Sequence, residues 1–388
     1  MEKVFMNRTF RYRLYPTSTQ ANSLDAMRRD HCTLYNAALQ ERRDAYKTCR
    51  HSVKYSEQSS QLSDVRSVDI DQSRWSFTSQ QQTLRRLDKS FQSFFRRLKQ
   101  GQMPGYPRFK PLGRFNTITF VNGDGAKWLD KKARLQGIGH VKVKLHRPTQ
   151  GTVKQISITK SGNKWHASVI CVDVPAQLSE KSGNVVGLDR GITHLLADSN
   201  GGFTKNPRHT RTAEHDLTVA QQALSRCKRG SNRRKKAVAR VQVRHEKIKN
   251  VRADYLHKLS RQLVDEYDVI VMEDLRVAVM VKRPKPLSDN APNGAAAKSG
   301  LNKSIQDASW SKLANMIEYK AESAGVQVIY VPAANTSRTC YVCGHCSADN
   351  RNKELFSCLS CGHKAHADTN AALNILRLGL SRREALCA

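Results

Sequence analysis

The chain has 388 residues, with 66 Lys+Arg against 33 Asp+Glu, a formal charge of +33 and a pI near 10.1. That length predicts two or three domains, and the charge balance predicts a polyanionic partner, DNA or RNA. No apolar run approaches the roughly 18–20 residues of a membrane span, and Arg8, Arg11 and Arg13 are not followed by an apolar stretch, so neither a membrane span nor a secretory signal is expected.

Residues 4–15 alternate and carry aromatics, which predicts a strand. Pro16-Thr17 ends it, and Thr17 or Ser18 can cap a helix through 20–48, with Leu24, Met27, Leu34, Ala38 and Leu39 on one face. Residues 50–78 are polar and carry no clear period. Over 79–100, Leu84, Leu87, Phe91, Phe94, Phe95 and Leu98 recur at helical spacing among arginines and lysines. Gly101 to Pro111 is a basic loop containing Tyr106-Pro107-Arg108-Phe109-Lys110. Strands are expected at 117–120, 141–145, 153–158 and 166–170. Together 1–15 and 115–175 predict one β-barrel-like domain, with the helical block at 20–100 inserted in it.

From Val185 the pattern becomes α/β. A strand at 185–189 is expected to pair with one at 193–198. A helical run follows over 211–266, interrupted near Gly230-Ser231-Asn232, and then a buried strand at 268–273. The stretch 284–303 is rich in Pro, Gly, Asn, Ala and Ser and reads as a loop, a lid candidate. A helix at 307–324 ending at Gly325, a strand at 326–331 and a final helix at 368–379 complete the chain.

Five of the ten cysteines lie between 340 and 361, and the others are scattered singly, which predicts a metal site in a reducing compartment rather than a disulfide framework. Cys340-x2-Cys343 and Cys358-x2-Cys361 form two knuckles, each followed by a glycine, and four thiolates suit one structural Zn2+. Cys346 leaves one ligand assignment open, and His345, His363 and His366 lie close enough to substitute.

Three acids sit in different contexts. Asp189 and Glu273 end apolar runs, and Asp368 opens the last helix. Carboxylates at adjacent strand ends, joined by one from a neighbouring helix, are the donor set that holds two Mg2+ ions for phosphodiester hydrolysis. Singly, each has a plainer role: a turn former after a strand, or, for Asp368, a helix N-cap. Asp274 competes with Glu273, because successive strand residues point to opposite faces. Between 226 and 252 lie Arg229, Arg233, Arg234, Lys235 and Arg244 among further cations, with Glu246 the only acid, as expected of a phosphate-tracking helix.

Tyr12-Arg13-Leu14-Tyr15-Pro16-Thr17, Tyr106-Pro107-Arg108-Phe109-Lys110, Val186-Gly187-Leu188-Asp189-Arg190-Gly191-Ile192, Met272-Glu273-Asp274-Leu275, Ser309-Trp310, Thr336-Ser337-Arg338-Thr339-Cys340, the two knuckles and Asp368-Thr369-Asn370-Ala371-Ala372 follow one another along nearly the whole chain. In this order the sequence resembles TnpB, the RNA-guided DNA nuclease of insertion sequences, which is related to the compact type V CRISPR effectors. The resemblance implies a multidomain α+β protein. A wedge β-barrel domain would span 1–15 and 105–182, and a helical recognition domain 16–104. A RuvC-like (RNase H-like) nuclease domain would span 183–335 and 365–388, with a zinc ribbon, the target-strand loading element, at 336–364. It implies Asp189, Glu273 and Asp368 as ligands of two catalytic Mg2+ ions, and Cys340, Cys343, Cys358 and Cys361 as ligands of one structural Zn2+. It implies a guide RNA, a double-stranded DNA target beside a short flanking motif, and a bacterial or archaeal cytoplasmic location at the nucleoid. On position, Phe77, Gln81 and Asn122 are candidates for reading the flank, Arg108 and Lys110 for nucleic-acid contact, and Arg338 for the scissile phosphate. The chain departs from the family pattern at Ala367, where an arginine is common, and at Arg190; neither change removes a metal ligand. Some relatives have lost acids and act as guided repressors, whereas all three are present here. An RNA-guided repressor and a strand-transfer transposase are the rival readings.

Overall fold

The computed structural model describes residues 4–282 and 294–387. The chain divides into two compact units, Met1–Pro175 and Ala176–Ala388.

In the first unit, β1 (Phe5–Tyr15) alternates as its sequence demands, with Phe10, Tyr12 and Leu14 buried. α1 (Ser18–Cys49) starts at Thr17, whose hydroxyl accepts from the Gln20 amide while Gln20 Oε1 accepts from the Thr17 amide, a reciprocal cap. The polar stretch that shows no period forms α2 (Tyr55–Ser60), α3 (Leu62–Val68) and α4 (Ile70–Ser73). These short helices are organised by side-chain hydrogen bonds that no period reports: the Arg66 guanidinium donates to the carbonyls of Gln72, Ser73 and Trp75. α5 (Phe77–Lys99) is capped by the Ser76 hydroxyl. Its stripe is buried at Leu84, Leu87 and Phe91, but Phe95 and Leu98 are exposed.

Six more strands follow: β2 (Thr117–Asn122), β3 (Gly125–Leu129), β4 (Lys132–Leu135), β5 (Gly139–Lys144), β6 (Thr152–Ser161) and β7 (Lys164–Pro175). They close with β1 into a barrel in the order β1-β5-β4-β3-β2-β6-β7. The expected barrel and its helical insertion are both present, and β3 and β4 are additions to the expected strands. Barrel residues and helix residues, among them Phe120, Trp165, Leu39 and Leu87, share one core.

The second unit is built on a five-stranded sheet. β8 (Val185–Asp189) pairs antiparallel with β9 (His194–Asp198), as expected, and β9 pairs with β10 (Phe203–Lys205). α6 (His209–Thr212), α7 (Glu214–Ser225) and α8 (Asn232–Glu266) follow, with the break at Gly230-Ser231 where the sequence placed it; the Ser231 hydroxyl caps α8. β11 (Val269–Glu273) is buried throughout and lies parallel to both β8 and β12 (Gln327–Val331), giving the order β10-β9-β8-β11-β12.

Between β11 and β12 come α9 (Val277–Met280), α10 (Ala295–Ala308) and α11 (Trp310–Ala324). Residues 284–293 of the expected loop and lid at 284–303 lie outside the described residues. The rest of it is helix rather than loop, since Ala295-Ala296-Ala297-Lys298 has the strongest helix propensity available. The helix expected over 307–324 is broken at Ser309, which takes a left-handed backbone (φ 55°) between α10 and α11. The cysteine segment carries β13 (Arg351–Asn352), β14 (Leu355–Ser357) and β15 (Lys364–His366), which runs directly into α12 (Ala367–Cys387).

α12 lies against the sheet at two glycines. A Cβ on Gly187 of β8 would sit 2.2 Å from the Ala372 carbonyl oxygen, and a Cβ on Gly379 of α12 would sit 2.4 Å from Val271 Cγ1 of β11. Gly187→Ala is therefore expected to destabilise the protein by about 1–3 kcal/mol, whereas Gly300→Ala, which meets nothing within 4 Å inside α10, should be neutral or stabilising. Thermal denaturation of both variants checks this; equal melting temperatures would refute the close approach.

Candidate active site and metal centre

Strand and helix geometry place the three acids. β8 and β11 are parallel neighbours, so Asp189 and Glu273, their last residues, lie at the same sheet edge. α12 crosses β8 at Gly187, two residues before Asp189, and Asp368 stands in its first turn. Burial raises the Asp189 pKa from 3.8 to about 7, with the Glu273 and Asp368 charges adding to the rise and Arg351 opposing it. Glu273 is 7 % exposed and is also pushed up by burial. Asp274 is exposed, which resolves the competition: Glu273 is the inward acid.

Glu273 and Asp368 are each held by a side-chain partner, and the turn after Asp189 is held by another. Glu273 Oε1 accepts from the Thr336 hydroxyl at 2.6 Å. The Arg190 guanidinium, buried beside it, donates through Nη2 to the Glu273 carbonyl, so it ties β8 to β11 immediately behind the acids. Asp368 Oδ1 accepts from Arg351 Nη2 at 2.8 Å. The Trp310 indole donates to the Gly191 carbonyl at 3.1 Å, which fixes the turn after Asp189. Two buried asparagines on α12, one helical turn apart, hold the segment leading into the knuckles. Asn370 bonds Tyr341 N and the Thr339 carbonyl, and Asn374 bonds the carbonyls of Thr336 and Thr339.

The four knuckle cysteines have ligand atoms all within 4.8 Å of one another, with Sγ–Sγ separations of 3.7 Å for Cys340–Cys361 and 3.5 Å for Cys343–Cys358. The two knuckles are alike. Cys340 N donates to the His345 carbonyl and Gly344 N to the Cys340 carbonyl; Cys358 N and Gly362 N repeat the pattern on His363 and Cys358. Gly344 (φ 77°) and Gly362 (φ 71°) take the left-handed turns this requires. Amide N–H groups, led by that of Cys361, pull the Cys358 thiol down, whereas hydrogen bonds with the other thiols push Cys361 up. Cys346 is outside the cluster.

The remaining candidates are dispersed. Arg229, Arg233 and Lys235 are exposed at the turn before α8 and on its first residues. Arg234 turns back to the Leu224 and Cys227 carbonyls, and Arg244 pairs with Asp216. Arg338 and Arg108 are exposed, and Arg351, which carries no distinctive spacing, is the arginine on Asp368. Phe77 lies under the Arg66 guanidinium, and Gln81 donates to Ser59. The Asn122 amide is engaged inside the barrel with Val153 and Trp128, and Lys110 lies over the Tyr35 ring. Thr336 and Arg190 stand in motifs the sequence shows, but their contacts with Glu273, and that of Arg351 with Asp368, escape a sequence reading. Asn370 and Asn374 leave one signal, an i,i+4 amide pair on an otherwise apolar helix face.

Comparison with known proteins adds an independent line. Residues 169–283 match the sequence profile of the OrfB_IS605 family, described as a probable transposase, and residues 310–375 match the Cas12f1-like TNB domain. Residues 6–51 match a helix-turn-helix profile, although here they form a strand and a single long helix. A putative RNA-guided DNA endonuclease, InsQ of Escherichia coli K12, is 32% identical over 300 residues, covering 77% of this chain and 73% of that one. Another, from Streptomyces pristinaespiralis, is 31% identical over 386 residues, covering 97% and 90%. The Cas12f1 chain of a Cas12f1–sgRNA–target DNA complex superposes with a TM-score of 0.58 at 15% identity over 96% of this chain and 98% of that one, a likeness of fold.

Two outcomes follow from this geometry. With no divalent ion present, the folded state binds a proton at Asp189 between about pH 4 and 7 that the unfolded state has released, so this group's contribution to stability falls as pH rises through that window. Asp189→Asn removes the burden; its melting temperature should match wild type near pH 4 and exceed it at pH 8. A gap that is constant with pH would contradict the buried trio. The thiolate cluster should hold about one zinc ion per chain, and Cys358→Ser should lose it by metal analysis while the barrel keeps its structure.

Proposed function

The chain belongs to the TnpB family of transposon-associated RNA-guided DNA endonucleases, and from that premise we propose that it cuts double-stranded DNA at sites chosen by a bound guide RNA. One observation carries the proposal: carboxylates from β8, β11 and α12 converge at one sheet edge, Glu273 buried and Asp189 and Asp368 half-buried, in a chain whose formal charge is +33. Buried like charges disfavour the fold unless a cation joins them.

The donor set fits Mg2+, a hard cation that takes carboxylate oxygens; burial raises Asp189 and Glu273, and the Glu273 and Asp368 charges add to the rise at Asp189. In this reading Asp189, Glu273 and Asp368 hold two Mg2+ ions. When bound, these ions supply an activated water and neutralise charge on the leaving oxygen. The chain's own residues do the positioning. Arg190 keeps the ends of β8 and β11 in register, Thr336 orients the Glu273 carboxylate, and the Trp310 indole holds the turn after Asp189. Arg351 brings a guanidinium to Asp368, where it can move onto a DNA phosphate. The strand order β10-β9-β8-β11-β12, which is 3-2-1-4-5 in chain order, supports an RNase H-like assignment. The cysteine cluster supports a zinc ribbon at 336–364 that feeds straight into the helix bearing Asp368.

The proposed division is a wedge of 1–15 and 105–182, a recognition domain of 16–104 and a nuclease domain of 183–335 and 365–388. Guide and target pair by base complementarity, while the protein holds their backbones and a short flanking motif. Among the described residues no helix is long and apolar enough to cross a membrane; the cytoplasmic, nucleoid-associated setting is part of the proposal.

Purification from cells carrying the native flanking DNA, sequencing of the bound RNA and a plasmid-cleavage assay with Mg2+ test this. A discrete RNA is expected, with cleavage that follows its 3′ guide segment and falls below detection in Asp189→Ala while target binding persists. A discrete RNA without cleavage would indicate a guided repressor. Cutting or joining that needs no RNA would indicate strand transfer.

A further inference from the structure

The apolar stripe of α5 outruns the core. Leu84, Leu87 and Phe91 are buried, but beyond them Phe95 is 49% exposed and Leu98 46%. Tyr106 from the following loop and Tyr46 from α1 face the same opening at 43% and 53% exposure. These side chains line a cavity of about 440 Å³, a size suited to a small organic group. Its rings brace one another at right angles: Phe91–Tyr106 centroids are 5.5 Å apart at 88°, and Phe94–Tyr106 centroids 5.4 Å apart at 74°.

Arg42 closes one wall and is 6% exposed. Its Nε donates to Gln58 at 2.9 Å and its Nη1 to Asp88 at 3.0 Å, but its buried Nη2 has no hydrogen-bond partner in the protein. A cavity with aromatic walls, rimmed by Lys54, Asp88 and Gln92, matches the chemistry of a nucleobase, with a stackable face and a hydrogen-bonding edge. The setting supplies the rest. A second groove of about 470 Å³ shares Phe94 and is lined by Arg86, Lys89 and Arg97 against Pro104-Gly105. Phosphates beside cations and a base against rings is the arrangement that single-stranded nucleic acid takes on protein.

We infer that the cavity between α1, α5 and the 104–107 loop takes a single unstacked base of the bound RNA, with the adjoining Lys89–Arg97 groove holding the neighbouring phosphates. The inference rests on the reading that this chain binds a guide RNA. A second copy of the chain is the other apolar occupant to weigh. The cationic groove next to the rings favours RNA, because two copies would bring like charges together.

Irradiation of the purified ribonucleoprotein with short-wave ultraviolet light, followed by digestion and mass spectrometry, is expected to give a single-nucleotide adduct on a peptide containing Tyr46, Phe94, Phe95 or Tyr106. Tyr46→Ala/Phe95→Ala should weaken RNA binding about tenfold with an unchanged melting temperature. Lys89→Ala should weaken it and flatten its salt dependence. Full affinity in the double variant, with adducts only elsewhere, would overturn the inference. So would a sedimentation change from dimer to monomer in that variant, which would assign the rings to a second copy. A wild-type protein that binds no RNA would fail at the first step and overturn the functional reading as well.

Discussion

At Gly187 the backbone of α12 comes nearer to the sheet than any side chain would allow; the missing Cβ would stand 2.2 Å from one backbone oxygen and 2.7 Å from a backbone nitrogen. The second contact, Gly379 against Val271, fixes the far end of the helix on the neighbouring strand. With two points held, the helix axis cannot pivot. Its first turn, where Asp368 stands, is delivered to the sheet edge that carries Asp189 and Glu273. The asparagines at 370 and 374 then use the same helix to anchor the lead-in to the cysteine knuckles. Acid trio and cysteine cluster are therefore positioned by one packing constraint.

The electrostatics follow from that position. Three carboxylates drawn together under an apolar sheet edge repel one another, and the chain offsets this in two ways. Thr336 supplies a neutral hydroxyl donor to Glu273, which stabilises its charge without adding another. Arg351 supplies a full positive charge to Asp368 and lowers the Asp189 pKa from a distance. Neither neutralises the site: Asp189 still stands near 7. Under the proposed function, that residual negative charge is what divalent cations would neutralise, inside a chain of formal charge +33.

Long elements were legible in the sequence because their signals are local. Alternation in β1, the capping threonine of α1, the all-apolar run of β11 and the two knuckles each encode their structure within a dozen residues. The trio was legible because each acid ends or begins such an element. What escaped depends on contacts distant in sequence. Arg190 and Glu273 are 83 residues apart, and Thr336 and Glu273 are 63 apart. Arg351 lies in a ribbon whose spacing is dictated by cysteines, so its own position carries no period. The α2–α4 segment is held by the carbonyl contacts of one arginine, and the helix at Ala295 was masked by glycine and proline in its neighbourhood.

The stripe on α5 shows where periodicity stops being informative. Phe91, Phe94, Phe95 and Leu98 continue the spacing of Leu84 and Leu87 without a break, and pattern alone assigns all six to the core. The core ends at Phe91, because the barrel and α1 supply partners only that far. The remaining rings are left to a cavity whose walls are braced by edge contacts and whose polar lining includes Arg42, held in place by Gln58 and Asp88. Burying that guanidinium against rings has a desolvation cost that an exposed lysine would avoid. A chain already rich in exposed cations gains no extra phosphate affinity from a buried one. The arginine makes physical sense there because its planar fork meets Asp88 and Gln58 at once while its face lies 5.1 Å over the Phe91 ring, three contacts a lysine could not make together.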